Sequence, residues 1–292
     1  MEYLLAGISV GGQYALIAIG YTMVYGILRL INFAHGDIFM VSGLVMVYAT
    51  TAMPLYLSIP LVLIGTVILG FAVERMAYKP LRSAPRMSVM ISAIGVSYML
   101  QNIALYVTGG LAKTYTSIPW LSKTVTVFGA TTKWVTLVTP VLTIALVVAL
   151  VMLIKFTKIG IAMRAVSKDF ETAQLMGIKI NRVISTTFVI GSLLAAVGSI
   201  LYFSNYPSVI PTSGAMPGLK SFVAAVFGGI GSIPGAVIGA FIIGICENLI
   251  RAVKIGGVSM TTFSDAFTFA LLIVVLCVKP NGLFGEKTTE KV

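Results

Sequence analysis

Apolar runs of roughly 17 to 25 residues recur along this chain, at about 4–28, 37–53, 57–73, 88–108, 136–155, 183–204, 235–251 and 263–279. That is the length an α-helix needs to cross about 30 Å of hydrocarbon. Strands of a membrane barrel would alternate over about 10 residues, whereas these runs are apolar on every face. A helix also satisfies its own backbone hydrogen bonds in lipid. The expected fold class is therefore all-α, a polytopic integral membrane helical bundle. Hydrophobic residues make up 58% of the chain and charged residues 10%, a balance that a water-soluble fold could not hide.

The net charge of +11 does not point to nucleic acid, because the basic residues form no single patch with interleaved aromatics. They lie in short loops between apolar runs, as cytoplasmic loops do. Residues 74–86 carry Arg75, Lys79, Arg82 and Arg86, and residues 155–182 carry Lys155, Lys158, Arg164, Lys168, Lys179 and Arg182. Both segments are expected on the cytoplasmic side. The two spans between them place residues 109–135 outside, as a small extended lobe with interfacial Trp120 and Trp134. Counting backwards puts the amino terminus outside, in keeping with Glu2 and no basic residue before Arg29. Only Met1 and Glu2 precede the first run, which is too long for a signal-peptide core and is expected to be retained.

Counting forwards, residues 205–217 fall outside. Phe222–Ile230 is short for a crossing and is followed by Gly231, Pro234 and Gly235, which reads as a broken or re-entrant helix. Lys279, Lys287 and Lys291 favour a cytoplasmic carboxyl end, which requires the short piece to cross. The expectation is eight spans plus a re-entrant segment, or nine, in a single membrane domain over residues 1–292. Cys246 and Cys277 lie in apolar stretches and read as small core residues, with no metal site.

Four places interrupt the apolar pattern informatively. In the cytoplasmic segment, about 156–182, a helix is expected over Ala162–Met176 and is closed by Gly177 as C-cap. Met163, Val166, Phe170, Ala173 and Leu175 form its apolar side. Such a helix docks into a partner's groove or lies on the membrane surface. Asn32, His35 and Asp37 break the pattern between the first two runs at or just inside the inner boundary, with Gly36 allowing a bend. They read either as an ordinary capped turn or as part of a solute path. Ser97 and Gln101 share a helix face, with Asn102 adjacent, and either bond between helices or line a path. Gly231, Gly235 and Gly239 recur every fourth residue, a face suited to close helix packing, and Pro234 supplies a break. Glu247 and Asp265 suggest a proton relay only weakly, because no Lys, His or Arg is expected deep in the bundle and Arg251 can pair with Glu247.

ETAQLMG, from Glu171 to Gly177, is similar to the EAA-type loop of ABC importer permeases, with Thr172 in place of the middle Ala. The wider stretch MRAVSKDFETAQLMGIKIN (Met163–Asn181) resembles the form found in permeases of branched-chain amino-acid importers, the LivH type. So do NFAHGD (Asn32–Asp37), IGVSYMLQN (Ile94–Asn102), GGIGSIPGAVIGA (Gly228–Ala240) and PNGLFG (Pro280–Gly285). The resemblance runs over nearly the whole chain in order. It implies a coupling helix that sits on an ATPase subunit, carried here by Arg164, Asp169, Glu171, Ala173 and Gly177. It also implies a translocation path near Asn32, His35, Asp37, Ser97, Gln101 and Asn102. The implied partners are two ATPase subunits, a second related permease, a soluble solute-binding protein and membrane lipid, with no nucleic acid. The implied location is a bacterial inner membrane or an archaeal plasma membrane.

No P-loop GxxxxGK[ST] occurs in the 292 residues. The chain is therefore expected to bind no cofactor itself and not to be an enzyme, with ATP and Mg on the partner chains. Leucine, isoleucine and valine are the implied solutes. Urea, short amides or other amino acids are the alternatives within the family. A stand-alone secondary transporter or channel would need midplane ionisable sites in paired repeats, and a structural arm subunit leaves the EAA-like loop without a role.

Overall fold

The computed structural model describes every residue except 83, 117, 128, 256–257, 280–281 and 286–292, with only the backbone at 255, 258–259 and 262. Lys287, Lys291 and the first two residues of PNGLFG lie outside the described residues. Eleven α-helices occur among them. The first five are α1 (Glu2–Leu28), α2 (His35–Ala52), α3 (Leu55–Val73), α4 (Arg86–Thr108) and α5 (Trp134–Phe156). The others are α6 (Lys158–Lys168), α7 (Phe170–Leu175), α8 (Ile180–Asn205), α9 (Ala215–Gly228), α10 (Ile233–Ala252) and α11 (Ser264–Val278). Six are long and apolar enough to cross a membrane: α1, α3, α4, α5, α8 and α10. The expected spans at 37–53 and 263–279 correspond to α2 and α11. The polar first turn of α2 dilutes its apolarity, and the 15 residues of α11 rise only about 22 Å.

The all-α expectation needs one addition, since three two-stranded antiparallel pieces decorate the bundle. A hairpin of β2 (Thr124–Val127) and β3 (Ala130–Lys133) builds the expected 109–135 lobe, and β1 (Lys113–Thr114) ties that lobe to β4 (Ser208–Val209). The third piece is β5 (Lys254–Ile255) with β6 (Val258–Ser259). Lys133 Nζ also donates to Asn205 O at 3.3 Å, so 109–133 and 205–209 share one end of the bundle. At the other, basic end, Arg82 bonds Asn181 and one cavity wall is shared by Leu28, Tyr78, Gly177 and Arg182.

The core is built on α1, which packs most extensively on α10 and then on α8. Glycine permits the approach: a Cβ at Gly7 would lie 2.8 Å from Ile245 Cα, and one at Gly11 would lie 2.8 Å from Phe241 Cα. These separations bring backbone against backbone, the geometry of small residues four apart.

Three expected boundaries move. Residues 74–78 are not loop, because α3 runs on through a π-helical turn at Glu74–Tyr78 that carries Glu74 into the interior. The piece expected to be broken near Phe222–Ile230 is the continuous 14-residue α9. The interruption is instead a turn at residues 229–232, where Gly229 (φ 110°) and Gly231 (φ 100°) take backbone angles that side chains disfavour. Finally, α2 begins well inside the bundle rather than at its boundary. His35 lies against Gly20 of α1 and Gly191 of α8, and Gly20 is eight residues, about 12 Å, from the end of α1.

Candidate functional site

The first polar cluster forms where α2 starts. Asp37 is buried (2% exposed) and accepts hydrogen bonds from Ser97 Oγ and, at 3.0 Å, from Gln101 Nε2, both on α4. The i, i+4 spacing of Ser97 and Gln101 lets both reach one carboxylate. No cation pairs with Asp37 among the described residues. Asp37 stands in the first turn of α2, as the turn reading expects, where the helix dipole favours a carboxylate, but the residue before α2 is Ala34 and no side chain caps that helix. Gly36 serves close packing rather than a bend: a Cβ there would lie 2.6 Å from Gly214 O and 3.1 Å from Gly218 Cα at the start of α9. His35 stacks edge-on to Tyr21, with ring centroids 5.1 Å apart. Asn32 Oδ1 accepts from Tyr78 Oη at 2.8 Å. Asn102 stands apart, exposed on α4 with its amide donating to Tyr98 O. The structure thus brings three of the six candidate path residues into one contact.

The second cluster is the basic segment. The single helix expected over Ala162–Met176 is two helices, broken at Asp169, whose backbone is extended (φ −153°, ψ 117°). The physical reason is capping. Asp169 Oδ1 accepts from the amides of Glu171 (3.0 Å) and Thr172 (3.3 Å), and Oδ2 accepts from the Thr172 hydroxyl at 2.5 Å. A carboxylate holding otherwise unpaired amides outcompetes one more helical turn. The Thr172 hydroxyl first, and then the two amides, hold the Asp169 carboxyl below the usual carboxylate range.

Gly177 closes α7 as expected, with φ 81°. Gly177 N donates to Gln174 O at 3.0 Å and Ile178 N to Ala173 O at 3.1 Å, the paired bonds of a Schellman motif. The break resets the apolar side. Met163, Val166 and Ala173 face the bundle, whereas Leu175 (87% exposed) and Met176 (79%) point away from it. Glu171 and Gly177 are exposed as well. Ala173 is buried and so unavailable to a partner, and Arg164 donates to Lys155 O at the end of α5.

The glycine face divides. Gly235 and Gly239 seat α10 on α9, where a Cβ at Gly239 would lie 2.9 Å from Gly228 N and one at Gly235 would meet Gly228 O. Gly231 is not on that face, having nothing within 4 Å of its Cβ position. Pro234 sits in the first turn of α10, after Ser232 caps the helix through Gly235 N at 3.3 Å, and so begins a helix rather than breaking one.

Comparison with known proteins settles what this arrangement belongs to. The model of a family described as "Branched-chain amino acid transport system / permease component" matches residues 3–276. The chain belongs to that family. It is 39% identical to the high-affinity branched-chain amino acid transport system permease protein LivH of Salmonella typhimurium, over 100% of this chain and 97% of the relative. It is 38% identical to BraD of Pseudomonas aeruginosa, which bears the same description, over 100% and 98%. More distantly, the ribose import permease protein RbsC of Haemophilus influenzae is 26% identical over 94% and 83%.

This permease also holds buried charges that its sequence did not announce. Lys220 of α9 is 4% exposed and Glu247 of α10 is fully buried, and Lys220 Nζ lies 2.6 Å from both Glu247 Oε1 and Asp265 Oδ1. Tyr14 of α1 donates to Glu247 Oε2 at 3.0 Å, and Arg251 pairs with the same carboxylate. The expectation of no deep basic residue is therefore overturned at Lys220. It is the sixth residue of α9, which begins at Ala215, ahead of the expected Phe222. At the basic end of the permease, buried Glu74 receives Arg82 and, at 2.8 Å, Ser185 Oγ.

Proposed function

We propose that the chain is one permease subunit of an ATP-driven importer that passes leucine, isoleucine and valine across the inner membrane. The observation that carries this reading is α7. It is a short helix capped at both ends that projects exposed Glu171, Leu175 and Met176 from the basic end of a membrane bundle. Apolar side chains presented in the loop region, on a helix too short to stand alone, call for a protein or membrane surface to cover them. The EAA-like Glu171 and Gly177 suit the cleft of an ATPase. Relatives of this length named as branched-chain amino acid permeases support the solute class. Similarity to a ribose import permease supports the view that the scaffold alone does not select the solute, so urea, short amides or other amino acids stand as the second reading.

In this reading the whole chain acts as one permease domain. Its 109–135 lobe and amino terminus lie outside, and residues 156–182 and the carboxyl end lie in the cytoplasm. The helices α1 to α5 and α8 to α11 then cross in alternation, nine in all, with α9 and α11 as the short members. A second related permease completes the path, two ATPase subunits hold ATP and Mg, and a soluble binding protein delivers the solute. The Asp37, Ser97 and Gln101 contact belongs to the moving part of the path, because it joins the exposed helix α4 to the core through hydrogen bonds that can be exchanged for water or solute.

Copurification with the ATPase chains, followed by Glu171→Lys and Gly177→Val, tests the docking. ATP-driven leucine uptake should fall at least about tenfold in both; for Glu171→Lys the bundle's melting temperature should stay within a few degrees, the mark of a surface change away from the core, whereas Gly177→Val also strains the positive-φ turn that closes α7. Retention of both uptake and ATPase association would sink the assignment. Uptake of leucine, isoleucine, valine and urea with the native binding protein separates the two solute readings.

A further inference from the structure

Beside the buried ion cluster lies a cavity of about 100 Å³ lined by Val10, Tyr14, Tyr202, Tyr206, Met216, Pro217, Lys220 and Arg251. A single water needs roughly 10–15 Å³ on such a scale, so the cavity admits a small polar group together with some carbon. Its walls carry two cationic side chains and three tyrosine hydroxyls, which can donate or accept. The Nε–H of Arg251 is shielded from solvent and has no acceptor. Lys220 commits two of its three N–H groups, to Glu247 and Asp265. Among the described residues neither the Tyr202 nor the Tyr206 hydroxyl has a hydrogen-bond partner. The Glu247 carboxylate that balances this cluster is already occupied by Tyr14, Lys220 and Arg251. Val10, Met216 and Pro217 complete an apolar wall.

A wall of unused donors beside an apolar surface is the complement of a carboxylate on an aliphatic stem, and charge-assisted bonds to a carboxylate are the strong ones. The cavity is bounded by the carboxyl-terminal turns of α8 and α10 and the first turns of α9, at the same end as the lobe. We infer that this cavity is a receiving site for the carboxylate end of an aliphatic amino acid, with Arg251, Lys220, Tyr202 and Tyr206 as its donors. The inference rests on the importer reading above. It adds to it a site within a single permease chain, on the side where solute would arrive. A neutral ion cluster suits a zwitterion, which must enter without leaving a net buried charge. The donors also suit transient binding, because Arg251 and Lys220 are already paired with Glu247 without solute.

The test uses the complete permease and ATPase complex in lipid nanodiscs without its binding protein. Apparent dissociation constants are taken from ligand-dependent shifts in melting temperature. Leucine is expected to stabilise the complex, and leucinol, which replaces the carboxylate with a hydroxymethyl group, is expected to bind at least about tenfold more weakly, the loss of a hydrogen bond to a charged group. The double variant Tyr202→Phe/Tyr206→Phe removes two unpartnered hydroxyls and leaves the ion cluster intact. It should raise the leucine constant by a similar factor, with the ligand-free melting temperature unchanged. Arg251→Lys, which keeps the charge on Glu247 and removes Nε–H, is the second arm and should act in the same direction. Equal binding of leucine and leucinol, or leucine binding unaltered in both variants, would overturn the site. Uptake by the wild-type complex with binding protein is measured in parallel. If leucine uptake is absent the importer reading has failed, and if uptake proceeds with carboxylate-blind binding only the receiving site has failed.

Discussion

The helices α1 and α5 invert the usual relation between apolarity and burial. In α5 the mean hydropathy of the apolar stretch is 2.9 and only 17% of it is buried in the protein, whereas in α1 the hydropathy is 1.4 and 72% is buried. The less apolar helix is the core. In a bilayer lipid is as apolar as leucine, so large apolar side chains do not drive a helix inward, and close approach does. The helix α1 therefore carries Gly7, Gly11, Gly12 and Gly20 along the surfaces that meet α10, α5 and α2. By contrast α5 shows Val141, Ile144 and Val148 to its surroundings.

The largest effect that would test this comparison is at the buried cluster. Lys220→Met strips buried Glu247 of one of its two cationic partners, and since Arg251 and Tyr14 remain on it the cost should lie near the lower end of the about 3–5 kcal/mol for a broken buried pair. Thermal unfolding in detergent should register that loss, and Lys220→Met/Glu247→Gln should restore part of it. Next come the glycines. Gly11→Val wedges α1 from α10 and should cost about 1–3 kcal/mol by overpacking. Gly95→Ala on α4, where nothing lies within 4 Å of the added carbon, should be neutral or stabilise by about 0.5–1 kcal/mol. Similar losses at Gly11 and Gly95 would erase the distinction between core and periphery. At the seam between the two regions, Gln101→Leu leaves Asp37 with Ser97 as its sole side-chain donor and should cost about 1–3 kcal/mol. That loss should accompany reduced uptake.

The smallest effect is local to α7. The native carboxyl of Asp169 titrates below its unfolded value. Its stabilisation of α7 is thus present above the ordinary carboxylate range and is lost as pH falls through the depressed native value. Hydrogen exchange at the Glu171 and Thr172 amides should be faster in Asp169→Ala than in wild type at neutral pH, and the difference should vanish at acid pH. A constant difference across that range would assign the protection to something other than the carboxylate.

Local signals were legible where the physics is local. Gly177 was expected to end a helix and does, because a positive φ near the end of a periodic stretch is a one-residue decision. The i, i+4 placement of Ser97 and Gln101 foretold that they share a helix face, but not that both meet one partner, Asp37. The break at Asp169 was missed although Asp is a strong N-cap residue, because the apolar spacing on either side of it continues smoothly enough to mimic one helix. The Gly7 and Gly11 pair carried the same four-residue spacing that singled out Gly235 and Gly239, and it serves the more extensive interface, that of α1 on α10.

The amino-acid order by itself determined that the chain is a bundle of membrane helices, which loops carry its positive charge, and where its short capped helix stops. All of these depend on composition, periodicity or neighbours within one turn. Only the tertiary structure decided that Tyr14 meets Glu247 across 233 residues, that Lys220 is buried and that α2 begins inside the bundle. Such pairings depend on which helix faces meet, and in a solvent of hydrocarbon the faces that meet are chosen by backbone approach and by polar groups seeking one another; a four-residue glycine spacing marks a face fit for close approach but does not name the helix that meets it.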